Sequence, residues 1–269
     1  MADLAPPPET FEPRRFRTTV PFYARYRLAY PRALIDRVVQ IVGLKPGDAV
    51  MDLGCGPGPL AILFAEAGMR VTAIDPEPAM LEAARDAAGA AGVAIDFRQG
   101  SSFAMPPGIG PFKLIAMGRS FHWMDRAATL KTLDPLVTPD GALALLHDER
   151  SRTAENAWYR TLQSIANEYG RATSPHIQAV ERADYRKHES VLFESVFNRL
   201  EHAGIFLKRE LIADDIVGLA FSLSTTAPDK LGDRKDAFEA ELRAALAKLS
   251  PDGKFTEIAE MIALIARRG

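Results

Sequence analysis

Apolar and polar positions alternate between two periods along the chain. Val50 to Leu53 is a short β-prone run feeding the glycine-dense turn Gly54-Cys55-Gly56-Pro57-Gly58-Pro59. Leu60 to Ala67 then reads as an alanine- and leucine-rich helix with Gly68 as its stop. Upstream, apolar residues at 34, 35, 38, 39, 41 and 42 mark one helical face, closed by Gly43 and the turn Lys45-Pro46-Gly47-Asp48. Val71 to Asp75 predicts a second strand, and Pro76-Glu77-Pro78 presets a helix over Ala79 to Ala91. Alternating Val93, Ile95 and Phe97 give a third strand, and Phe112 to Met117 a fourth. Thr129 to Val137 reads as helix, Thr138 to Gly141 as a turn, and Ala142 to His147 as a fifth strand.

Beyond residue 150 the pattern turns helical. Ala157 to Tyr169, Ser190 to Ala203 and Lys235 to Leu249 read as amphipathic helices, and Asp214 to Leu223 as a short apolar segment. Phe206 to Ile212 reads as a strand able to extend the sheet, and Phe255 to Arg268 as a final strand or helix. Strands alternating with helices predict an α/β fold: a doubly wound, mostly parallel sheet whose ligands lie beyond the strand C-termini. Asp52, Asp75, Ser101, Arg119 and His147 all fall at such ends. The expected organisation is a tail and lid over residues 1–30, a core over 31–150, and a helical cover with final strands over 151–269. Within the cover, 151–203 and 213–250 read as insertions over the substrate mouth. The proline-rich residues 1–15 predict a loosely draped tail.

Composition narrows the function. A net charge of −2 and a pI near 6.2 remove any global attraction to nucleic acid or anionic lipid. No apolar run is long enough to span a bilayer, and the start lacks a charged-then-apolar signal pattern, so a cytoplasmic protein is expected. One cysteine excludes an internal disulfide and any multi-cysteine metal site.

The glycine turn is a ligand cradle: glycine reaches unusual φ/ψ and exposes bare backbone, and the helix behind it aims free N–H groups at the same place. A dinucleotide turn would read G-x-G-x-x-G, but Pro59 stands where the third glycine would fall. Asp75 lies close to the separation expected of a ribose-binding carboxylate. A ribose reader without a pyrophosphate turn points to a nucleoside ligand lacking phosphates. On these residues the chain resembles the class I S-adenosylmethionine-dependent methyltransferases, Rossmann-like in fold, whose first motif reads (V/L)xDxGxGxG. Two further stretches are similar to the small-molecule, trans-aconitate-like members. Phe22 to Pro31 resembles Y-x-x-x-R-P-x-Y-P, with Leu28 and Ala29 as departures, and Ser120-Phe121-His122-Trp123-Met124-Asp125 resembles (S/A)-x-H-W-x-D.

The resemblance implies S-adenosyl-L-methionine as cofactor, with S-adenosyl-L-homocysteine as product. It assigns Asp52, Gly54, Cys55, Gly56 and Gly58 to the cradle, Asp75 and Pro76 to the ribose, and Met80, Ser101, Ser102 and Phe103 to the adenine side. Arg119 and Ser120 follow the fourth strand, and Tyr26 and Arg27 fall on the lid with Tyr23 as a neighbour. Ser101 replaces the usual aspartate; its hydroxyl can accept from the adenine amino group, though less strongly. Lys113 replaces a structural aspartate without evident reason.

Methyl transfer needs placement, water exclusion and removal of the acceptor's proton. His122 is the candidate base, since an imidazole titrates near neutral pH, with packing beside the cofactor as the alternative. Tyr23, Trp123 and His147 are expected to wall the acceptor pocket, Arg119 to hold a cofactor or substrate carboxylate, and His176 and His188 to sit in the cover. The expected acceptor is a small organic molecule methylated on O, N or C. No metal, nucleic acid or membrane partner is expected, and oligomeric state is open, a homodimer included. The rival readings are a cofactor-binding regulator or partner subunit without transfer, and an NAD-linked oxidoreductase.

Overall fold

The computed structural model describes residues 19–269, without the side chains of Thr173, Pro175 and His176; the expected tail and the His176 assignment therefore lie outside the described residues. Seven strands form one sheet in the order β3-β2-β1-β4-β5-β7-β6. The five N-terminal strands are β1 (Ala49–Leu53), β2 (Arg70–Asp75), β3 (Ile95–Gln99), β4 (Phe112–Gly118) and β5 (Val137–Arg150). Each pairs in parallel with its neighbours among them. Four of the five residues of β1 are buried, as is Ala142 to Leu146 in β5, the continuous burial of strands covered on both faces.

The helices covering these strands are α2 (Arg32–Val42), α3 (Pro59–Glu66), α4 (Pro78–Ala91) and α5 (Arg126–Leu133). Helix α2 buries Leu34, Ile35, Val38 and Val42 and stops at Gly43, whose φ of 73° only glycine adopts without strain. Lys113, unexplained in the sequence, ion-pairs through Nζ with Asp140 and fastens β4 to the start of β5. The predicted turn over Thr138 to Gly141 is absorbed into β5 by a register shift between Phe112 and Leu114.

The C-terminal half departs further from the helical reading. β6 (Arg199–Ile212) and β7 (Lys254–Arg267) are 14-residue strands, and β7 runs antiparallel between β5 and β6. The predicted helix over Ser190 to Ala203 is a short α8 (His188–Phe193) followed by the start of β6. Leu192, Val196 and Leu200 carry a helical spacing, but pairing with β7 over the whole of β6 outweighs that local preference.

The cover consists of α6 (Ala157–Glu168), α7 (Pro175–Glu181), α9 (Ala213–Phe221), α10 (Pro228–Leu231) and α11 (Lys235–Leu249). It has its own core, centred on Trp158, Leu162, Ile216, Phe221, Phe238 and Leu242. Two side chains join it to β7: Trp158 Nε1 donates to the Thr256 carbonyl at 2.9 Å, and Asn156 bonds both the N–H and the carbonyl of Ile258.

The N-terminal helix α1 (Val20–Tyr26) lies on α9, with Phe22 edge-on to Phe221 at 5.3 Å between ring centroids. Tyr26 sits against Gly218, where a Cβ would overlap its ring. Gly218→Ala should therefore cost about 1–3 kcal/mol, and adding Tyr26→Ala should recover most of it. Urea denaturation of the two single variants and the double variant checks this coupling.

Candidate functional site

Strand order reverses between β1 and β4, so the loops after these strands diverge and open a crevice at their C-terminal ends. The glycine turn leaves β1 at this point. Gly54 adopts φ 75°, and a Cβ there would come within 2.6 Å of Ser120 Cβ. Ser120 in turn donates its hydroxyl to the Leu53 carbonyl at 2.7 Å, holding the end of β4 against β1. Gly56 faces the opposite situation: no atom lies within 4 Å of the Cβ it lacks.

Asp75, at the end of β2, fixes the turn. One carboxylate oxygen accepts the Gly56 N–H at 2.8 Å and the other the Glu77 N–H at 2.9 Å. Burial raises its carboxyl to a pKa of about 6, opposed in part by those two N–H groups. Asp52 is more deeply buried, and neither oxygen has a hydrogen-bond partner among the described residues. Burial, then the neighbouring Asp75 charge, push it up to about 8.

A cavity of about 360 Å³ occupies the crevice under the helical cover, a volume suited to a small-molecule ligand. At the glycine-turn end its wall carries Gly54, Gly56, Asp75, Pro76, Met80, Ser101, Ser102 and Phe103. Tyr23, Arg27, Arg119, Ser120, His122, Trp123 and His147 line the same cavity. Four expected site residues are not on this wall. Cys55 is buried in the core beneath the turn, and Gly58 packs its α-carbon against Ala84. Asp52 lies behind the turn. Tyr26 packs instead on α9 at Gly218 and stacks on Phe22. Ser101 lines the cavity, but its hydroxyl oxygen already accepts from the N–H groups of Phe103 and Ala104. Its remaining capacity is to donate, so it does not replace the aspartate as an acceptor. His188, expected in the cover, packs edge-on to Phe121 and contacts Arg126.

The structure adds residues that the sequence reading missed: Asp148 and Arg150 from β5, Tyr159 from α6, Arg171, and Leu219, Leu223, Ser224 and Thr225 around the end of α9. Asp148 accepts from Arg119 Nε at 2.5 Å and from Arg150 Nη1 at 2.7 Å. Burial alone would raise its carboxyl; Arg119 and Arg150 outweigh burial and hold it well below the usual carboxylate range. Arg119 also donates to the Leu28 carbonyl at 2.7 Å and lies over the Tyr30 ring. Arg150 donates through Nε to Glu257 of β7, which is wholly buried and is shared with Arg209. Arg27 donates through Nη2 to the Ser222 carbonyl at 3.1 Å, while its Nε has no partner among the described residues. The charged run His147-Asp148-Glu149-Arg150, closing an otherwise apolar strand, was the available signal.

Residues 50–141 match the methyltransferase-domain family. The ubiquinone biosynthesis O-methyltransferase of Methylocella silvestris is 36% identical over 127 residues, covering 44% of this chain and 50% of that protein. An uncharacterized methyltransferase of Mycobacterium tuberculosis is 30% identical over 155 residues, covering 58% and 60%. The chain thus spans about half to three-fifths of the length of these curated relatives. Among solved structures, a protein of Anaeromyxobacter dehalogenans described as a type II methyltransferase superposes with a TM-score of 0.62 at 19% identity, covering 90% of this chain and 98% of that one. At that identity the likeness is one of fold.

Two outcomes follow from the buried charges. Asp52 and Asp75 keep their protons in the folded chain where the unfolded chain, with ordinary carboxyls near 3.8, has lost them. The folded state binds more protons in that window, so stability falls as pH rises from about 4 through about 8. Asp52→Asn should flatten that decline and exceed the wild type in stability at pH 8; denaturant titrations across pH measure both. Asp148→Asn leaves two buried guanidiniums without their shared anion and should cost about 3–5 kcal/mol by the same assay at pH 7.

Proposed function

We propose that this chain, whose residues 50–141 form a methyltransferase domain on a class I fold, transfers the methyl group of S-adenosylmethionine to a small organic acceptor. One observation carries the reading: a continuous cavity joins the glycine turn and Asp75 to His122, Trp123 and His147 beneath the cover. A cofactor and an acceptor can meet there out of water.

The residues fit the cofactor. Each Asp75 oxygen accepts one backbone N–H and keeps a lone pair, which matches the two hydroxyls of a ribose. Gly56 offers bare backbone facing open space. Arg27 lines the cavity and brings a positive charge to it, suited to the carboxylate of the methionine part. When bound, the cofactor supplies a methyl carbon already activated by its sulfonium.

The chain's own contributions are orientation, exclusion of water and acceptance of a proton. Tyr23 and Arg27 close the cavity from α1, and Leu219, Leu223 and Thr225 close it from the cover. His122, its ring 4.7 Å from that of Trp123, and His147 are the histidines on the wall. Of these, His122 is the residue assigned to accept the acceptor's proton. Ser101 and Lys113, the two departures from the family pattern, have local structural roles, so neither favours a protein that binds the cofactor without transfer.

Calorimetric titration with S-adenosylmethionine, S-adenosylhomocysteine and NAD tests the reading. The first two should bind and NAD should not; binding of NAD alone would overturn it. Asp75→Ala should weaken S-adenosylhomocysteine by about 10- to 100-fold, the worth of a charge-assisted grip on two hydroxyls.

A further inference from the structure

We propose that two copies of this chain join edge to edge along β6, continuing the seven-stranded sheet across a two-fold axis at Phe206. The inference is independent of the methyltransferase reading, and no residue of β6 lines the cavity.

β6 is the outermost strand on its side of the sheet and fourteen residues long. Its inner edge pairs with β7 from Arg199 to Ile212 without a register shift. Beyond that ladder, no backbone hydrogen bond joins the strand to another segment among the described residues. Edge strands of monomers are blunted by shortness, proline, bulges or lysines. The opposite edge, β3, is five residues long. β6 is long and regular, contains no proline, and carries one lysine, Lys208.

Apolar side chains gather along this edge. Phe206 is 67% exposed, Ile212 closes the same strand exposed, and exposed Phe193 and Val196 stand just before it. A single exposed apolar residue is ordinary; four along one edge mark a contact surface.

The pattern of the strand is complementary to itself. A two-fold axis perpendicular to the sheet passes through one residue of β6 and sets its neighbours opposite one another in reverse order. With the axis at Phe206, that ring meets its own copy, Ile205 meets Leu207, Leu200 meets Ile212, and His202 meets Glu210. Lys208 meets Gly204, over which the Glu260 side chain lies so closely that a Cβ on Gly204 would overlap its Oε1. The lysine therefore lands on an anion of the other copy. His202, Lys208 and Glu210 take part in none of the ion pairs among the described residues, whereas Glu201 and Arg209 are already engaged by Arg267 and Glu257. Neighbouring axes match less well. At Ile205 the axis sets Glu201 opposite Arg209, both engaged, and at Leu207 it drives Glu210 onto Gly204, against Glu260.

Sedimentation velocity of the full chain, from low to high micromolar concentration, should show a reversible species of twice the 29.4 kDa chain mass. Phe206→Asp sets two carboxylates opposite each other and should raise the dimer dissociation constant at least about tenfold. Its circular dichroism should match wild type, since the side chain is exposed. His202→Glu should weaken the dimer several-fold, and adding Glu210→Lys should restore it. Within one copy these two positions lie about 26 Å apart, so the rescue can pass only between copies. Oxidation with diamide reads the axis. Phe206→Cys should form a covalent dimer, whereas Ile205→Cys, about 8 Å from its counterpart, should not. The native Cys55 is buried and takes no part.

A chain monomeric throughout, a dimer indifferent to Phe206→Asp, or a failed charge rescue overturns the proposal. So does Ile205→Cys cross-linking as readily as Phe206→Cys. Should Phe206→Asp not fold, the charge exchange and the cysteine variants decide the matter. None of these readouts involves S-adenosylmethionine or its product, so failure of the methyltransferase reading leaves this proposal standing, and the reverse.

Discussion

A single carboxylate, Asp148, ties together parts of the chain that otherwise share little. Through Arg119 it reaches the end of β4 and the Leu28 carbonyl behind α1; through Arg150 it reaches Glu257 on β7 and, beyond that, Arg209 on β6. Arg119 holds φ at 56°, a conformation that costs a non-glycine residue about 1–3 kcal/mol and persists only where the surroundings enforce it. Two guanidiniums on one buried anion supply that enforcement. The segment after α1, the parallel core and the antiparallel extension thus meet at one ionic chain beside the cavity, and a shift of any of them must be accommodated by the other two.

The two ends of the cavity are built on different principles. At the glycine turn the ligand surface is backbone, kept bare by glycines and oriented by an aspartate that bonds the turn itself, and little of it can move. Under the cover the surface is side chain, contributed by helices whose hydrophobic core takes in Leu211 of β6 and Phe255 of β7 and which Trp158 and Asn156 bond to β7. Backbone on one part of the wall and exchangeable side chains on the other is the division expected of a scaffold whose specificity is set by its loops and added helices.

That division also explains what could be read from the sequence. β1, the glycine turn, α3 and the Asp75 strand end are local: each signal lies within a few residues of its consequence, and all were legible. Tyr23 and Tyr26 were both assigned to the site; a motif gives residue types, and only packing shows that Tyr23 lines the cavity while Tyr26 lies against Gly218 of α9. Asp52, Cys55 and Gly58 belong to the motif but shape the turn from behind. The strand character of residues 199–203 was hidden because it comes from pairing with β7, some sixty residues away in sequence. For Arg150 the charged run closing β5 was a signal, but nothing near it or Tyr159 in sequence states that β7 will supply a buried glutamate or that α6 will fold back over β5.

The placement of β7 between β5 and β6 bears on how the molecule is made. As the chain emerges from the ribosome, β6 is complete well before its partner exists, since α9, α10 and α11 intervene between Ile212 and Lys254. Through that interval the nascent chain presents two open strand edges, those of β5 and β6, and Arg150 waits without Glu257. The parallel core can close early, but the mouth of the cavity becomes whole only when β7 threads into the gap. A pause in synthesis within α11 would therefore hold a folded parallel half beside sticky, unclosed strands, the state most exposed to proteases and chaperones.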